Sequence, residues 1–279
     1  MKPTTSGLID LQTLHDWQSK YPCVLLDASI PPIGLPPEKI AKETIPGSLF
    51  FDIENEFSDL SSGLPHTLIN PKEFEDKIQA LGINQESRII VFDAYGVYSS
   101  PRAWWMFKIM GHENVFVLNG GLIAWKQAGF STIETFEKPK TPGNFVSNFQ
   151  ENYLINKEQI VTQIHQPDTT IIDARSADRF YGRVDEPRKG LRKGHIPGSI
   201  NIPFGSLIEA GYLKPKLAEH SLQDSLPSLG FSCGSGITAC IPLLAAYELG
   251  YHSLKLYDGS WAEWGADKFL PIDSDEKNN

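Results

Sequence analysis

The sequence predicts an α/β protein made of two tandem copies of one domain, each a mostly parallel sheet flanked by helices. Short apolar segments alternate with segments of helical periodicity along most of the chain, and this alternation is typical of parallel sheets covered by helices. Three short segments of the first half also reappear in the second half, in the same order. The length of 279 residues suits two domains of ordinary size or one large α/β domain.

The first half reads as helices and strands in alternation. Asn70 and Pro71 form a strong helix start, because asparagine caps a helix and proline fits its first turn. Gly111 and Gly129 mark the ends of two further helices. The helices are predicted at residues 9–20, 70–81, 101–110 and 122–127, and the strands at residues 24–27, 88–92 and 115–118.

The periodicity disappears over residues 130–152, which include Pro139 and the pair Pro142-Gly143. Such a stretch is typical of a linker between domains. We therefore predict an N-terminal domain at residues 1–135, a linker at 136–152 and a C-terminal domain at 153–279.

The second half repeats the pattern of the first. Helices are predicted at residues 156–165, partly at 214–226, at 238–249 and at 260–265, and strands at 170–173, at a segment ending at 232–233, and at 254–257. The matched segments are Leu26-Asp27-Ala28-Ser29 with Ile172-Asp173-Ala174-Arg175, Ile45-Pro46-Gly47-Ser48 with Ile196-Pro197-Gly198-Ser199, and Leu118-Asn119-Gly120-Gly121 with Tyr257-Asp258-Gly259-Ser260. Three matches at nearly constant offset are hard to obtain by chance, so the chain is predicted to be a tandem duplication.

A glycine-rich loop, Cys-Gly-Ser-Gly-Ile-Thr at residues 233–238, lies between a predicted strand and a predicted helix. Its two glycines allow a tight turn, and such a loop can point successive amide N–H groups inward to bind an anion. The start of the following helix adds partial positive charge. The thiolate is the nucleophilic form of cysteine, so the loop favours Cys233 as a nucleophile. The alternative is a structural cysteine that is simply buried before a helix.

Aligning the two copies places Asp93 opposite Cys233. The first copy then has a carboxylate where the second has a thiol, and it cannot perform thiol chemistry. Ligands of parallel sheets bind beyond the carboxyl ends of the strands, which is where Cys233 falls. We therefore predict a catalytic C-terminal copy and a non-catalytic N-terminal copy.

Composition and charge narrow the function further. The net charge is −9 and there is no long basic run, which argues against nucleic acid or an anionic membrane as the main partner. No apolar stretch approaches the roughly 18 residues of a membrane span, and the N-terminus is polar, without an apolar signal core. Three widely spaced cysteines, with no CxxC and no HxxxH pattern, predict neither a disulfide framework nor a metal site. A reducing, cytoplasmic setting fits this cysteine usage.

The repeats and the loop at residues 233–238 resemble the two-domain rhodanese family of sulfurtransferases over essentially the whole chain. A loop reading Cys-Gly-Ser-Gly-Val-Thr is similar to family members that use 3-mercaptopyruvate, with Ile237 in place of valine. Members that use thiosulfate usually carry basic residues in this loop. The resemblance implies rhodanese folds, an inactive N-terminal copy and a persulfide on Cys233. It further implies no organic cofactor or metal, a small-molecule sulfur donor, and a thiol acceptor such as thioredoxin or a small thiol.

The resemblance also implies roles for residues outside the loop. Arg179 and Arg188 match the two family arginines that hold the carboxylate and keto group of the substrate, a role suited to the planar guanidinium group. Arg192 is a nearby competitor for either role. The alternative is that these arginines lie in a polar, exposed loop.

A proton-handling group is implied by the match of Ser235, His66 and Glu54 to the family pattern, although the family usually has Asp where this chain has Glu54. A histidine suits this task because its ordinary pKa lies near neutrality; the alternative for His66 is a surface loop. Tyr98 matches an aromatic residue that lines the cleft, or else packs in the core. The loop residues Gly234, Gly236, Ile237 and Thr238 complete the predicted substrate-binding set.

The predicted function is transfer of sulfur from 3-mercaptopyruvate through Cys233 to a thiol or cyanide, with release of pyruvate. Two alternatives stay open, a thiosulfate:cyanide sulfurtransferase and a non-catalytic module for binding or redox sensing. A phosphatase with a Cys-x5-Arg loop is excluded, because Ala239 stands where the arginine is required. A regulatory disulfide between Cys233 and Cys240 is disfavoured.

Overall fold

The computed structural model describes residues 6–165, 168–217 and 228–275. The chain divides into two compact units. The first unit comprises the residues up to Ser58 together with Leu68–Gln150 and Ile208–Leu213, and the second comprises Asp59–Thr67, Glu151–Leu207 and the residues from Lys214 onward. Each unit thus contains a short segment from the other half of the sequence, an exchange that the sequence pattern does not indicate.

The described residues form short strands and helices that alternate along the chain. The strands are β1 (Leu8–Ile9), β2 (Cys23–Asp27), β3 (Ser48–Phe50), β4 (Arg88–Phe92), β5 (Val115–Leu118), β6 (Thr170–Asp173), β7 (Ile200–Asn201), β8 (Ile208–Glu209), β9 (Tyr212–Leu213), β10 (Leu229–Ser232) and β11 (Leu254–Leu256). The helices are α1 (Leu11–Gln18), α2 (Pro71–Ala80), α3 (Ser100–Ile109), α4 (Gly121–Gln127), α5 (Lys157–His165), α6 (Ala177–Phe180), α7 (Cys240–Glu248) and α8 (Ser260–Trp264), with 3-10 turns at Pro37–Lys39, Glu151–Tyr153 and Phe204–Leu207.

Each unit has its own parallel sheet. The strand order is β1-β5-β4-β2-β3 in the first unit and β11-β10-β6-β7 in the second, and every pairing within these two sheets is parallel. The antiparallel pair β8-β9 belongs to the first unit. In both sheets an inner strand, β4 or β10, ends at the position where the sequence alignment places Asp93 or Cys233. The predicted α/β architecture is thereby confirmed.

The predicted elements are present with small shifts at their ends. The first helix starts later than predicted, because Ile9 lies in β1 and the side chain of Asp10 caps the helix by accepting the N–H of Thr13 at 2.8 Å. Helix α2 starts as predicted, with the Asn70 side chain accepting the N–H of Glu73 at 3.0 Å. Residues 214–217 are not helical, and the rest of the helix predicted at 214–226 lies outside the described residues.

The predicted linker segment has neither helix nor strand up to Gln150, yet it packs against the first unit. Phe145 is fully buried, with its ring centroid 6.0 Å from that of Phe74 and 6.2 Å from that of Phe107. Its backbone N–H donates to the carbonyl of Ile83. The segment therefore adds a buried aromatic side chain to the core of the first unit.

The duplication is visible in the backbone as well as in the sequence. Residues 45–48 and 196–199 form the same tight turn, in which the serine N–H donates to the isoleucine carbonyl at 3.2 and 3.1 Å. Proline followed by glycine suits a type II turn, which needs a positive φ at its third residue. Gly47 has a φ of +82° and Gly198 a φ of +76°. Each turn leads directly into a short strand, β3 or β7.

Two features are absent from residues 6–165, 168–217 and 228–275. In that part of the chain no helix is both long and apolar enough to cross a membrane, and no group of three or more His, Cys, Asp or Glu side chains could hold a metal ion. All three cysteines are free thiols.

Candidate active site

Cys233 directly follows β10, which pairs with β6 on one side and β11 on the other. Cys233 is only 1% exposed. Its backbone N–H donates to the Ser260 hydroxyl oxygen at 3.2 Å, and its carbonyl accepts the N–H of Trp261 at 3.0 Å. These two bonds tie the end of β10 to the first turn of α8. The thiol is thus fixed at the carboxyl end of the sheet, the edge at which such sheets bind ligands.

The loop after Cys233 carries a run of unpaired backbone amides. The N–H groups of residues 234–238 make no hydrogen bond to any residue that the structure describes. Gly236 has a φ of +81°, a conformation that glycine adopts without strain, and its carbonyl accepts the Cys240 thiol at 3.4 Å. A run of unpaired amides beside a buried thiol is suited to binding an anion. We call residues 233–238 the anion cradle.

The two predicted arginines lie against this cradle. A β-carbon built on Gly234 would be 3.0 Å from Nη2 of Arg179 and 3.7 Å from Nη1 of Arg188. A side chain at position 234 would therefore push Arg179 aside, which explains the glycine. Two permanent positive charges next to a buried thiol favour an anionic substrate over a neutral one.

Arg188 and Arg192 differ in how their guanidinium groups are used. Arg192 donates to four backbone carbonyls of the segment 264–270, so its guanidinium holds that segment in place. The alternative prediction, that Arg192 holds the substrate in place of Arg179 or Arg188, is therefore wrong. Arg188 is half-buried and makes no hydrogen bond or ion pair with any described residue. Its donors are available to a ligand.

His66 reaches the cradle from the segment Asp59–Thr67, which belongs to the second unit. Its Nδ1 lies 3.0 Å from the hydroxyl oxygen of Ser235, which is only 6% exposed. The segment is closed by the N–H of Asp59, which donates to the carbonyl of Thr67 at 2.8 Å. An imidazole and a hydroxyl at this distance can pass a proton between them.

The structure therefore brings together Cys233, Ser235, His66, Arg179 and Arg188 within one unit. Gly234 and Gly236 shape the loop, Ile237 is buried, and Thr238 is half-buried in the turn before α7.

Glu54 and Tyr98 belong to the first unit. Glu54 is exposed in the turn at residues 53–56, and the backbone N–H of Tyr98 donates to the Asp93 carboxylate at 2.8 Å. Their roles in proton transfer and substrate binding stay predictions.

The structure supports the alignment of Asp93 with Cys233. Asp93 follows β4 as Cys233 follows β10, and the Asp93 carbonyl accepts the N–H of Leu122 at 3.0 Å, the counterpart of the bond from Trp261. Leu122 and Trp261 each follow the third matched segment, so the duplicated sequence forms the same strand-to-helix connection twice.

Two residues that touch this site were not predicted from the sequence. Ser260 binds the backbone of Cys233, and Glu186 accepts hydrogen bonds from Nε and Nη2 of Arg179 at 3.1 and 2.5 Å. Ser260 could have been found within the third matched segment, where its counterpart is Gly121. Glu186 lies in a segment so rich in charge that no sequence feature sets it apart from its exposed neighbours.

The chain is similar to known proteins over most of its length. A model of the rhodanese-like domain matches the chain twice, over residues 10–128 and 156–267. The 3-mercaptopyruvate sulfurtransferase of Escherichia coli K12 is 39% identical over 266 residues, which cover 89% of this chain and 91% of that protein. The mitochondrial thiosulfate/3-mercaptopyruvate sulfurtransferase 1 of Arabidopsis thaliana is 37% identical over 262 residues, which cover 84% of this chain and 69% of that protein.

A solved structure supports the same likeness. The crystal structure of SseA from Escherichia coli, described as showing the rhodanese fold of 3-mercaptopyruvate sulfotransferases, superposes with a TM-score of 0.81 at 33% identity. The superposition covers 92% of this chain and 99% of that one. These matches confirm the resemblance that the repeats and the loop predict.

Proposed function

The chain belongs to the rhodanese family, with two copies of its domain, and we propose that it is a sulfurtransferase that takes sulfur from 3-mercaptopyruvate through a persulfide on Cys233. The observation that carries this proposal is the position of Arg179 and Arg188, which both lie at Gly234 beside an uncharged loop. The names of the bacterial and plant relatives support the same reaction.

The donor fits this arrangement of charges. 3-Mercaptopyruvate carries a carboxylate and a carbonyl group at a distance from its sulfur, so two guanidinium groups outside the loop can hold both while the sulfur faces the thiol. Thiosulfate keeps its charge next to the transferred sulfur, and a cation inside the loop would be needed to follow that charge. Residues 234–238 contain no charged side chain.

The reaction then proceeds in two steps. The Cys233 thiolate attacks the sulfur of the donor, a sulfur–sulfur bond forms, the carbon–sulfur bond breaks, and pyruvate leaves as its enolate. The enolate takes up a proton, for which the pair of Ser235 and His66 is the proposed source. A thiol acceptor such as thioredoxin or a small thiol, or cyanide, then attacks the outer sulfur and regenerates the thiolate.

The amides of the anion cradle supply the electrostatic part of this mechanism. The thiolate is an anion, and the persulfide becomes one when its S–H proton passes to the Ser235 and His66 pair, which has just given a proton to the enolate. Unpaired N–H groups at residues 234–238 are preorganised to stabilise both anions. Because these N–H groups are already in place, they need no rearrangement as negative charge develops on the sulfur.

The second candidate is a thiosulfate:cyanide sulfurtransferase on the same fold. One observation favours it, since the Arabidopsis relative is named for both donors. The uncharged loop argues against this second candidate. The thiol of Cys233, which lies beside unpaired backbone amides, argues against a non-catalytic module.

Steady-state kinetics with both donors and one common acceptor tests the proposal. We expect kcat/KM for 3-mercaptopyruvate to exceed that for thiosulfate by at least about tenfold, or roughly 1.4 kcal/mol of transition-state preference. Arg188→Leu should lower the efficiency with the keto acid more than that with thiosulfate. Equal efficiencies, or a preference for thiosulfate, would reject this donor assignment.

A further inference from the structure

Glu186 lies between two arginines of the second unit. Its side chain is 2% exposed, and its carboxylate accepts from Nη1 of Arg175 at 2.9 Å and from Nε and Nη2 of Arg179 at 3.1 and 2.5 Å. A carboxylate so deeply buried is stable only because both cations neutralise it. Glu186 therefore joins a fully buried arginine to the arginine that lies against the anion cradle.

Arg175 in turn is anchored to the frame that holds Cys233. Its guanidinium is fully buried and donates to Asp173, at the end of β6, and to the carbonyl of Gly194 at 2.8 Å. It also lies over the ring of Trp261, 4.2 Å from the ring centroid. Trp261 is the residue whose N–H binds the carbonyl of Cys233. The position of Glu186 is thus set relative to the thiol by rigid, buried groups.

The contacts of Glu186 decide which part of Arg179 can reach a ligand. The edge formed by Nε and Nη2 is occupied by the Glu186 carboxylate, while Nη1 makes no hydrogen bond to any residue in the described part of the chain. Nη2 also lies closest to Gly234. A ligand carboxylate must therefore meet Arg179 at the edge formed by Nη1 and the remaining N–H of Nη2.

We propose that Glu186 is a positioning residue that holds Arg179 in the orientation that binds the carboxylate of the donor. The inference rests on the proposed function, since it assumes an anionic keto-acid donor. Glu186 acts on binding and not on the transfer of sulfur, because it faces the arginine and not the thiol. Its removal should therefore weaken donor binding while leaving the chemical step largely intact.

A double-mutant cycle tests this inference in the full-length protein. Glu186→Gln keeps the shape and one acceptor but removes the charge, and we expect KM for 3-mercaptopyruvate to rise about tenfold with kcat within about twofold of wild type. In an Arg179→Leu background the same change should alter KM by less than about twofold, because its target is gone. Asp185→Asn is the matched control. It lies on the same segment, with a side chain that is 89% exposed and paired with Lys193, and it should leave KM unchanged.

A readout that needs no turnover separates this inference from the proposed function. Pyruvate should protect Cys233 from alkylation by iodoacetamide, and Glu186→Gln should need about tenfold more pyruvate for half-protection. Should Glu186→Gln fail to fold, Glu186→Asp takes its place, with a smaller rise in the same direction. Any of three results would overturn the role of Glu186. They are a fall in kcat at unchanged KM, an equal change in KM in the wild-type and Arg179→Leu backgrounds, and the absence of protection by pyruvate. Intact protection without sulfur loading from 3-mercaptopyruvate would overturn the proposed function alone.

Discussion

The two copies of the domain place different groups at the end of the same strand. In the first unit the fully buried Asp93 carboxylate accepts the backbone N–H groups of four residues of its own loop, at 2.8 to 3.0 Å, and the hydroxyl of Ser100 at 2.7 Å. In the second unit the N–H groups of residues 234–238 have no acceptor among the described residues. The residues whose amides bind Asp93 are Tyr95, Tyr98, Ser99 and Ser100.

This difference teaches that amides suited to an anion come with the duplicated fold, whereas the chemistry depends on one side chain. The first copy satisfies four of these amides with its own carboxylate, so they are not available to an external anion. The second copy has the thiol of Cys233 at this position, and the N–H groups of residues 234–238 remain for the groups that react at the sulfur.

A second difference between the copies lies on the neighbouring strand, β2 in the first unit and β6 in the second. Asp27 accepts the hydroxyl of Thr44 at 2.6 Å, and burial, with a smaller contribution from the charge of Asp93, raises the pKa of Asp27. Its counterpart Asp173 is paired with Arg175, which stands where the first copy has Ser29. The buried arginine that holds Glu186, and through it Arg179, therefore has no counterpart at the matching position of the first copy, where Ser29 stands.

The largest effect that this comparison predicts is that of Cys233→Ser. The variant should lose sulfur transfer completely and keep its fold, because a serine hydroxyl fits the site but does not form a persulfide. Intact-mass spectrometry after incubation with 3-mercaptopyruvate should show one added sulfur on wild type and none on the variant. Sulfur found on Cys23 or Cys240 would contradict the assignment of the nucleophile.

The role of Asp93 as an internal anion predicts a large loss of stability when it is removed. Asp93→Ala leaves several buried N–H groups without an acceptor, and we expect a loss of about 3 kcal/mol in the free energy of unfolding. Asp93→Asn keeps one acceptor oxygen and should cost about half as much. Urea unfolding of the three proteins measures both values.

Hydrogen exchange provides the control for this prediction. The amides of Tyr98, Ser99 and Ser100 should lose protection in Asp93→Ala, while amides of β10 in the second unit should not. Unchanged protection at those three residues would show that the carboxylate does not hold the loop.

Much of the fold and site follows from local patterns in the sequence. The duplication, the buried strands of four or more residues and the cap at Asn70 all have signals confined to a few neighbouring positions, and the structure reproduces them. The strands β1, β3 and β7 have only two or three residues each, too few to show a period. Sequence periodicity therefore recovers the centre of each sheet better than its edges.

The remaining features depend on contacts between distant residues. His66 joins the second unit through a segment exchange that no local pattern encodes, although its proximity to Ser235 was expected from the family resemblance. The charged segment around residues 183–193 looks uniformly solvated in sequence. In the structure Glu186 is buried and paired with two arginines, while the guanidinium of Arg192 donates to backbone carbonyls. Charge alone does not tell which of these side chains faces water.

The smallest predicted effect concerns Ser260, the residue that replaces Gly121 in the second copy. Ser260 has a φ of +50° and Gly121 a φ of +48°, so the two residues share a left-handed φ, and Ser260 adds a β-carbon and a hydroxyl. In Ser260→Gly the hydroxyl loses two hydrogen bonds, one from the N–H of Cys233 and one to the carbonyl of Tyr257, which together cost about 2 kcal/mol. Relief of left-handed strain, about 1 to 2 kcal/mol, offsets most of this cost. The free energy of unfolding should therefore stay nearly constant.

Sulfur transfer should nevertheless fall in Ser260→Gly, by about three- to tenfold in kcat/KM, because the backbone of Cys233 loses the bond that fixes it to α8. Ser260→Ala is the matched variant, since it loses the same bond but keeps the strain. It should show the same loss of activity together with a free energy of unfolding lower by about 2 kcal/mol, because it loses both hydrogen bonds of the hydroxyl. Activity and urea unfolding measured on both variants separate the two effects. Full activity in Ser260→Gly would mean that a glycine, as in the first copy, supports sulfur transfer by Cys233 equally well. The functional difference between the two copies would then lie in Asp93 and Cys233 and in the arginines alone.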